Sequence, residues 1–449
     1  MNKKFILLVS LLAFCTLTCT LSFSAMMTSP HAFQLTTFTV AGTGTSEVSP
    51  GGYKLLDVGI QAVGGAATSG TGKQLQVGGL YPLVADYVAT ARVHNITRGI
   101  SYTSLAAALA DAQGGNIIEL DDGLYSEFIT NWPAAQNVVV RSHSGVADNV
   151  SVTALGLSRV FDLSSLSPSI SGAIQNITIA SGNAGNGNGG GINLPAGSVF
   201  QVTGCSFEGN TAANGAAMAN GSATNCTFVN NTANNSGGGL YNGSATNCFF
   251  MGNTANSTGG ATANSSATGC TFSSNSASLG GGSYNAPSLD RCKFLGNSAP
   301  DGSEIYMSNS STTTIVNCLV NGSGSSMLAR AGSFSTNVTN CTFFGGDVVA
   351  HTGSTVNMKN SIVWNGALNP ESGALILKSY SDIQNGNTSN NCIIDDPAFI
   401  DASTGNFRLG LGSPCIDKGD SSGAPAVDRL MSTASGRWQT APSGLASKS

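Results

Sequence analysis

Charge is what this chain lacks most. Only 9% of its 449 residues are Asp, Glu, Lys or Arg, against roughly 25% in an average soluble domain. From Gly209 to Leu289 there is none of these, and no histidine either. That stretch cannot supply the paired carboxylates of a glycosidase. Nor can it supply the acidic Ca²⁺ ligands and the base of a polysaccharide lyase. The formal net charge of −5 is small for this length, which argues against a polyanionic partner such as nucleic acid. Beyond the first 25 residues, no apolar run approaches the roughly 20 residues of a membrane-spanning helix. The later cysteines never show the close pairing of a zinc site. Walker loops and dinucleotide fingerprints are missing too, and NGNGGG at 186–191 reads as a turn.

The amino terminus sets an expectation of export. MNKK is basic, FILLVSLLAF is apolar and LSFSA offers small residues for cleavage, so residues 1–25 read as a secretory signal peptide cut near Ala25. Cys15 and Cys19 lie inside it. They follow Phe14 and Thr18 and lack the small preceding residue that lipid-modified cysteines usually have.

What is abundant is glycine, 58 residues of it, arranged in a repeat. Cys205, Cys226, Cys248, Cys270, Cys292, Cys318 and Cys341 return every 21 to 26 residues, and the rhythm continues without sulfur at Ser361 and near Asp382. Such a period signals stacked supersecondary units. Phe207, Phe228, Phe250, Phe272 and Phe294 lie two residues after a cysteine, which places ring and thiol on one face of a strand. The flanking Asn and Thr then face solvent. Asn210, Asn231, Asn253, Asn275 and Asn297 lie five after it, where the strand must turn. Asparagine tolerates left-handed turn geometry, and its stacked amides would form a hydrogen-bonded ladder. Ala212, Ala233, Ala255, Ala277 and Ala299 follow two residues later.

A leucine-rich repeat could share this pattern, but it would follow its asparagine with a helical or 3₁₀ segment. Here SGGGL (236–240), STGGAT (257–262) and SLGGGS (278–283) intervene, and each glycine costs a helix interior about 1 kcal/mol relative to alanine. The fold class expected is therefore all-β: a single-stranded, right-handed parallel β-helix with coils of about 22 residues. About thirteen coils at a strand spacing of about 4.8 Å would make a rod of roughly 60 Å.

The phrases FEGN, FVNN, FMGN, FSSN and FLGN, paired with GGGI, GGGL and GGAT, resemble the repeats of chlamydial polymorphic outer-membrane proteins. They also look like the wider pectate-lyase-like group of β-helices. The resemblance spans roughly residues 176–345 and implies export, with either adhesin or polysaccharide-degrading activity. DPAF, GNFRL and GSPCIDKGD within 395–420 resemble the closing segment of bacterial surface β-helix proteins carrying a choice-of-anchor region. The tail at 421–449 departs from that group, with no recognisable sorting signal. The residues after Pro414 are too few for the porin end of the chlamydial proteins, which needs at least eight strands of about ten residues.

Five parts are expected: the signal at 1–25, a small β-hairpin module at 33–85, the capped β-helix at 98–394, the closing segment at 395–420 and a flexible tail at 421–449. GGYKLLDVGIQAVGG and GKQLQVGGLYPLV carry the hairpin signals of the small module. Residues 101–113 read as a short capping helix, with Thr103 as N-cap and Leu105, Ala108, Leu109 and Ala112 on one face. A first strand follows around Ile117 to Leu120.

The cysteines read as a buried stack. Neighbouring coils hold Cβ atoms too far apart for easy disulfides, so Cys392 with Cys415 is left as the one candidate bridge. Acidic groups gather only at the ends: Glu119, Asp121, Asp122 and Glu127 near the first coils, with Arg141 and His143 one coil on, and Asp395, Asp396 and Asp401 near the last. Capping and turn roles suit them; a catalytic site at the first group and a Ca²⁺ site at Asp395–Asp396 are the alternatives. The N-x-S/T triplets at Asn225, Asn230, Asn242 and Asn264 fall out of the asparagine repeat and are not read as glycosylation sites. No catalytic or cofactor-binding residue is assigned and no cofactor is expected. The functional expectation is a monomeric, non-enzymatic protein of the cell surface, outer membrane or extracellular space. It would bind surface glycans or a host or matrix partner through a polar Asn/Ser/Thr/Gly face. The alternative is a carbohydrate-active enzyme, a polysaccharide lyase or glycoside hydrolase.

Overall fold

The computed structural model describes residues 91–308, 312–329 and 335–421, and the backbone of three short strands before them. The chain divides into two units, Met1–Ala91 and Arg92–Ser449. In the first, Glu47–Val48 runs parallel to Ala66–Ser69, which pairs antiparallel with Gln74–Gln76. The remainder of the expected hairpin module, the signal peptide and most of the tail lie outside the described residues.

The second unit is a parallel β-solenoid of about 12 turns. One coil shows how the repeat is used. Ser222–Thr224, Thr227–Val229 and Leu240–Tyr241 are three short strands, one on each of three faces. Each pairs in parallel with its counterpart one coil on: Ala223 with Ala245, Phe228 with Phe250, Leu240 with Thr262. The alanine, phenylalanine and glycine faces enclose one continuous core. Phe207, Phe228, Phe250, Phe272 and Phe294 stack inside it with centroids 4.4–5.0 Å apart and ring planes within 8°. Ala212, Ala233 and Ala255, with Ala216, bury into a second, smaller core under a short ladder at Thr211–Asn214, Thr232–Ser236 and Thr254–Ala255. That is why alanine recurs at its offset.

The corners explain the other repeats. The residue before each cysteine is left-handed: Gly204, Asn225, Asn247, Gly269, Arg291, Asn317 and Asn340. So is the residue before each ladder asparagine: Gly209, Asn230, Gly252, Ser274 and Gly296. The sequence expectation placed left-handed geometry on the ladder asparagines themselves. The structure moves it one residue earlier, because the ladder side chain must point inward. Within the glycine corner, a side chain at Gly239 would meet the Phe250 ring 2.8 Å away and the Ala261 carbonyl at 2.9 Å.

Asn210, Asn231, Asn253 and Asn275 have no exposed surface, and Asn297 has 6%. Nδ2 of Asn231 donates to Oδ1 of Asn253 at 2.9 Å and to the Phe207 carbonyl at 3.0 Å, while the Asn231 backbone N–H donates to the same Oδ1 at 3.1 Å. The pattern repeats from Asn210 to Asn297. The ladder ends on Glu304, fully buried, whose carboxylate accepts from the backbone N–H and the Nδ2 of Asn297. Register places Glu304 where the preceding coils carry Gly282 and Ala261.

The ends are covered. Val93–Asn95 lies antiparallel to Ile117–Leu120 and to Ile100–Tyr102, closing the first coil. The helix spans Leu105–Ala110 and buries Leu105, Ala108 and Leu109. Its cap is Ser104, not the expected Thr103: the Ser104 hydroxyl accepts the Ala107 N–H at 3.1 Å. At the far end Phe399–Asp401 pairs antiparallel with Asn406–Leu409, and Phe344, Phe399 and Phe407 pack together.

Asn253→Ala removes the acceptor of the Asn231 N–H, one of the two acceptors of the Asn231 amide and the amide donor to the Phe228 carbonyl. With one buried N–H orphaned at about 1–3 kcal/mol and two further buried bonds lost at about 0.5–1.5 kcal/mol each, chemical denaturation should show a loss of roughly 2–6 kcal/mol, while exposed Asn256→Ala changes little. Glu304 tests the ladder differently. Burial pushes its carboxyl up to about 7 against the pull of the Asn297 bonds. A carboxyl raised on folding stabilises below its ordinary value near 4.3 and loses that contribution as pH rises through its folded value. Tm should therefore fall between about pH 5 and 8 in the wild type, and Glu304→Gln should flatten that slope.

Candidate functional site

The cysteines come first, because repeated thiols invite a chemical reading. Each sits at a corner, immediately ahead of the phenylalanine strand, and all seven are buried. The Cys226 N–H donates to Sγ of Cys248 at 3.4 Å, and Cys248 does the same to Cys270, Cys292 to Cys318 and Cys318 to Cys341. The thiol hydrogens point to carbonyls, as from Cys226 to Thr224 at 3.3 Å. The run then passes to hydroxyls: Cys341 N–H to Ser361 Oγ and Ser361 N–H to Ser381 Oγ, both 3.1 Å. The continuation expected near Asp382 thus falls on Ser381. Burial pushes the thiols of Cys205, Cys292 and Cys341 well up, so they stay protonated. Sulfur here is a compact acceptor in a corner ladder. No disulfide joins any of the nine described cysteines, and Cys415 gives its S–H to Asp382 Oδ2 at 2.9 Å, away from the candidate bridge with Cys392.

The acidic groups of the first coils divide between two tasks. Glu127 accepts the N–H groups of Leu105 and Ala106, both at 2.9 Å, and so completes the helix start. Glu119 is drawn into a cluster. Register sets it opposite His94 on one side and Arg141 on the other. One oxygen takes both Nη2 (2.7 Å) and Nε (3.0 Å) of Arg141; the other takes Nδ1 of His143 at 2.7 Å. Asp121 meets His94 at 3.1 Å, a residue the sequence reading had not joined to the group. Burial raises the Glu119 carboxyl, but the His143 and Arg141 bonds outweigh it and hold it below its usual range. Both oxygens are engaged and the group stays charged, which suits a structural anion and not a general acid.

At the other end the acidic residues make turns. Asp396 accepts the Ala398 N–H at 2.8 Å, and Asp401 caps the 3₁₀ turn Ala402–Thr404. Among the described residues no three His, Cys, Asp or Glu side chains converge as a metal site would require.

The outer wall of the charge-free coils is what remains. On the alanine face Ser222, Ser244 and Ser266 form one outward rank, and Thr224, Thr246 and Thr268 a second. The Ser222 and Ser244 hydroxyls lie 2.9 Å apart. With coils about 4.8 Å apart and alternate residues about 6.6 Å apart along a strand, the hydroxyls make a regular neutral grid. On the phenylalanine face, outward Phe249 and Met251 are 37% and 41% exposed, an apolar platform that the repeat pattern concealed because Thr227 and Val229 hold those positions one coil before and Thr271 and Ser273 one coil after. No described helix is long and apolar enough to cross a membrane.

Fold and surface together define a capped parallel β-solenoid with a neutral, hydroxyl-rich wall. No family model and no curated protein sequence matches the chain.

The Glu119 cluster has a direct readout. The Glu119 bond, and then its charge, raise the His143 imidazole above its usual value. NMR titration should place its midpoint above about 6.5, and Glu119→Gln should bring it back down.

Proposed function

We propose that the chain is an exported, non-enzymatic β-helix protein that binds surface glycans through the neutral wall of its middle coils. The carrying observation is the pair of in-register hydroxyl ranks with no Asp, Glu, Lys, Arg or His from Gly209 to Leu289. A surface without charge recognises a partner by hydrogen bonding and stacking, and exposed Phe249 supplies a ring of the kind that sugars stack upon. The basic-apolar-small leader at residues 1–25 supports export to the cell surface, outer membrane or extracellular space. The FxxN/GG repeats, which resemble those of chlamydial polymorphic outer-membrane proteins and of pectate-lyase-like β-helices, support an adhesin-like role. So does the choice-of-anchor-like segment at 395–420.

One observation favours a carbohydrate-active enzyme instead: the convergence of Glu119, Arg141 and His143 on the first coils. Two measurements separate the readings. Binding to arrayed glycans should weaken about tenfold or more in Thr246→Lys and Phe249→Ala, with Tm unchanged. Incubation with pectins and other acidic polysaccharides, with and without Ca²⁺, should release no oligosaccharide; unsaturated products would decide for the lyase.

A further inference from the structure

Thr203, Thr224, Thr246 and Thr268 are paired in register through four successive coils. They stand in one outward line along the solenoid axis, each partly or fully exposed. Three steps of about 4.8 Å give the line a length of about 14 Å. Among the described residues no protein group bonds to these four hydroxyls, whereas those of Ser222 and Ser244 in the neighbouring rank bond to each other at 2.9 Å. Charge marks both borders. Beyond Thr268 register places Asp290, ion-paired with Arg291 at 3.1 Å; before Thr203 it places Gln175 and then Arg141. Across a coil the wall is only two outward residues wide before the chain turns at left-handed Asn225 or Asn247. The hydroxyls therefore repeat in one direction, along the axis.

We infer that this line binds a linear, uncharged, β-linked glycan lying along the solenoid axis, one sugar unit to each threonine. The inference rests on the glycan-binding reading of the wall and names the class of glycan. Repeat distance is the first reason. A chain of equatorially joined hexoses is an extended ribbon whose units advance by close to one coil step, so successive sugars meet successive threonines. An α-linked chain coils and leaves the line after a unit or two. Charge is the second reason. An anionic polysaccharide finds no cation along the line, and giving up its hydration without a partner is unfavourable. The third reason is the hydroxyl itself. Threonine both donates and accepts, as each sugar hydroxyl does, so every rung can bond in either direction.

Titration calorimetry on the full chain with cello-oligosaccharides of two to six units, malto-oligosaccharides and oligogalacturonates tests it. Affinity in the cello series should rise by about two- to tenfold per added unit, the worth of one hydrogen bond, and level off at four units. The malto series should bind about tenfold more weakly or worse, and oligogalacturonates not at all. Thr246→Val, which keeps the side-chain shape and removes one hydroxyl, should weaken the cello tetramer by about two- to tenfold at unchanged Tm. Thr268→Val, at the end of the line, should move the levelling point from four units to three. Thr339→Val, in the same row beyond Asp290 and Val316, should change neither. Silence of the cello series while arrayed glycans of other kinds still bind overturns this inference and leaves the wall a glycan surface. So does cello binding that is independent of length, a levelling point unmoved by Thr268→Val, or tighter binding of the malto or galacturonate series. Binding to no glycan at all, arrayed or in solution, overturns both readings.

Discussion

A coil of this solenoid cannot bury its own backbone or its own faces; each depends on the coil above and below. The asparagine ladder is where that dependence is strictest. The Asn253 amide oxygen accepts two N–H donors from Asn231 in the preceding coil, while its nitrogen reaches back to that coil's Phe228 carbonyl. A register slip would break all these bonds at once in a place water does not reach. Phenylalanine stacking, corner thiols and left-handed asparagines all follow from holding successive coils in that one register.

The same constraint governs where charge can stand. In-register repetition would stack identical charged side chains about 4.8 Å apart, and like charges at that spacing repel. The middle coils avoid the problem by carrying none. Charge returns where the repeat stops and neighbours differ. Glu119 finds Arg141 and His143 across one step of the first coils, Glu304 replaces a glycine-face residue to finish the ladder, and Asp382 takes the outward place of an isoleucine beneath the closing segment. Charged side chains in this fold therefore stand at its ends and interruptions, and the regular part presents hydroxyls and exposed rings.

The repeat made much of this legible. Cys, Phe and Asn at fixed offsets identified the coil and two of its buried stacks, and the glycine triplets ruled out helices between strands. The buried face of the capping helix was readable from Leu105, Ala108 and Leu109. Ser104 was missed as the cap because Thr103 is an equally good capping residue, and only the path of the chain chooses between neighbours. The left-handed corner was read one residue late, since asparagine occupies both adjoining positions in VNNT. Glu304 carried a visible signal, a carboxylate in DGSE where other coils have glycine or alanine, but its role needed the register to place it against Asn297.

By itself the sequence determined the period, the inward residues and the location of nearly all charge, because these are local properties of spacing and composition. The tertiary structure alone decided which groups meet across coils. The ladder's end on Glu304, the corner thiols as hydrogen-bond acceptors, the triad at Glu119 and the covered carboxylate of Asp382 all join residues from different coils or segments. Their partners are set by stacking register and by how the closing segment folds back, and no short stretch of chain encodes either.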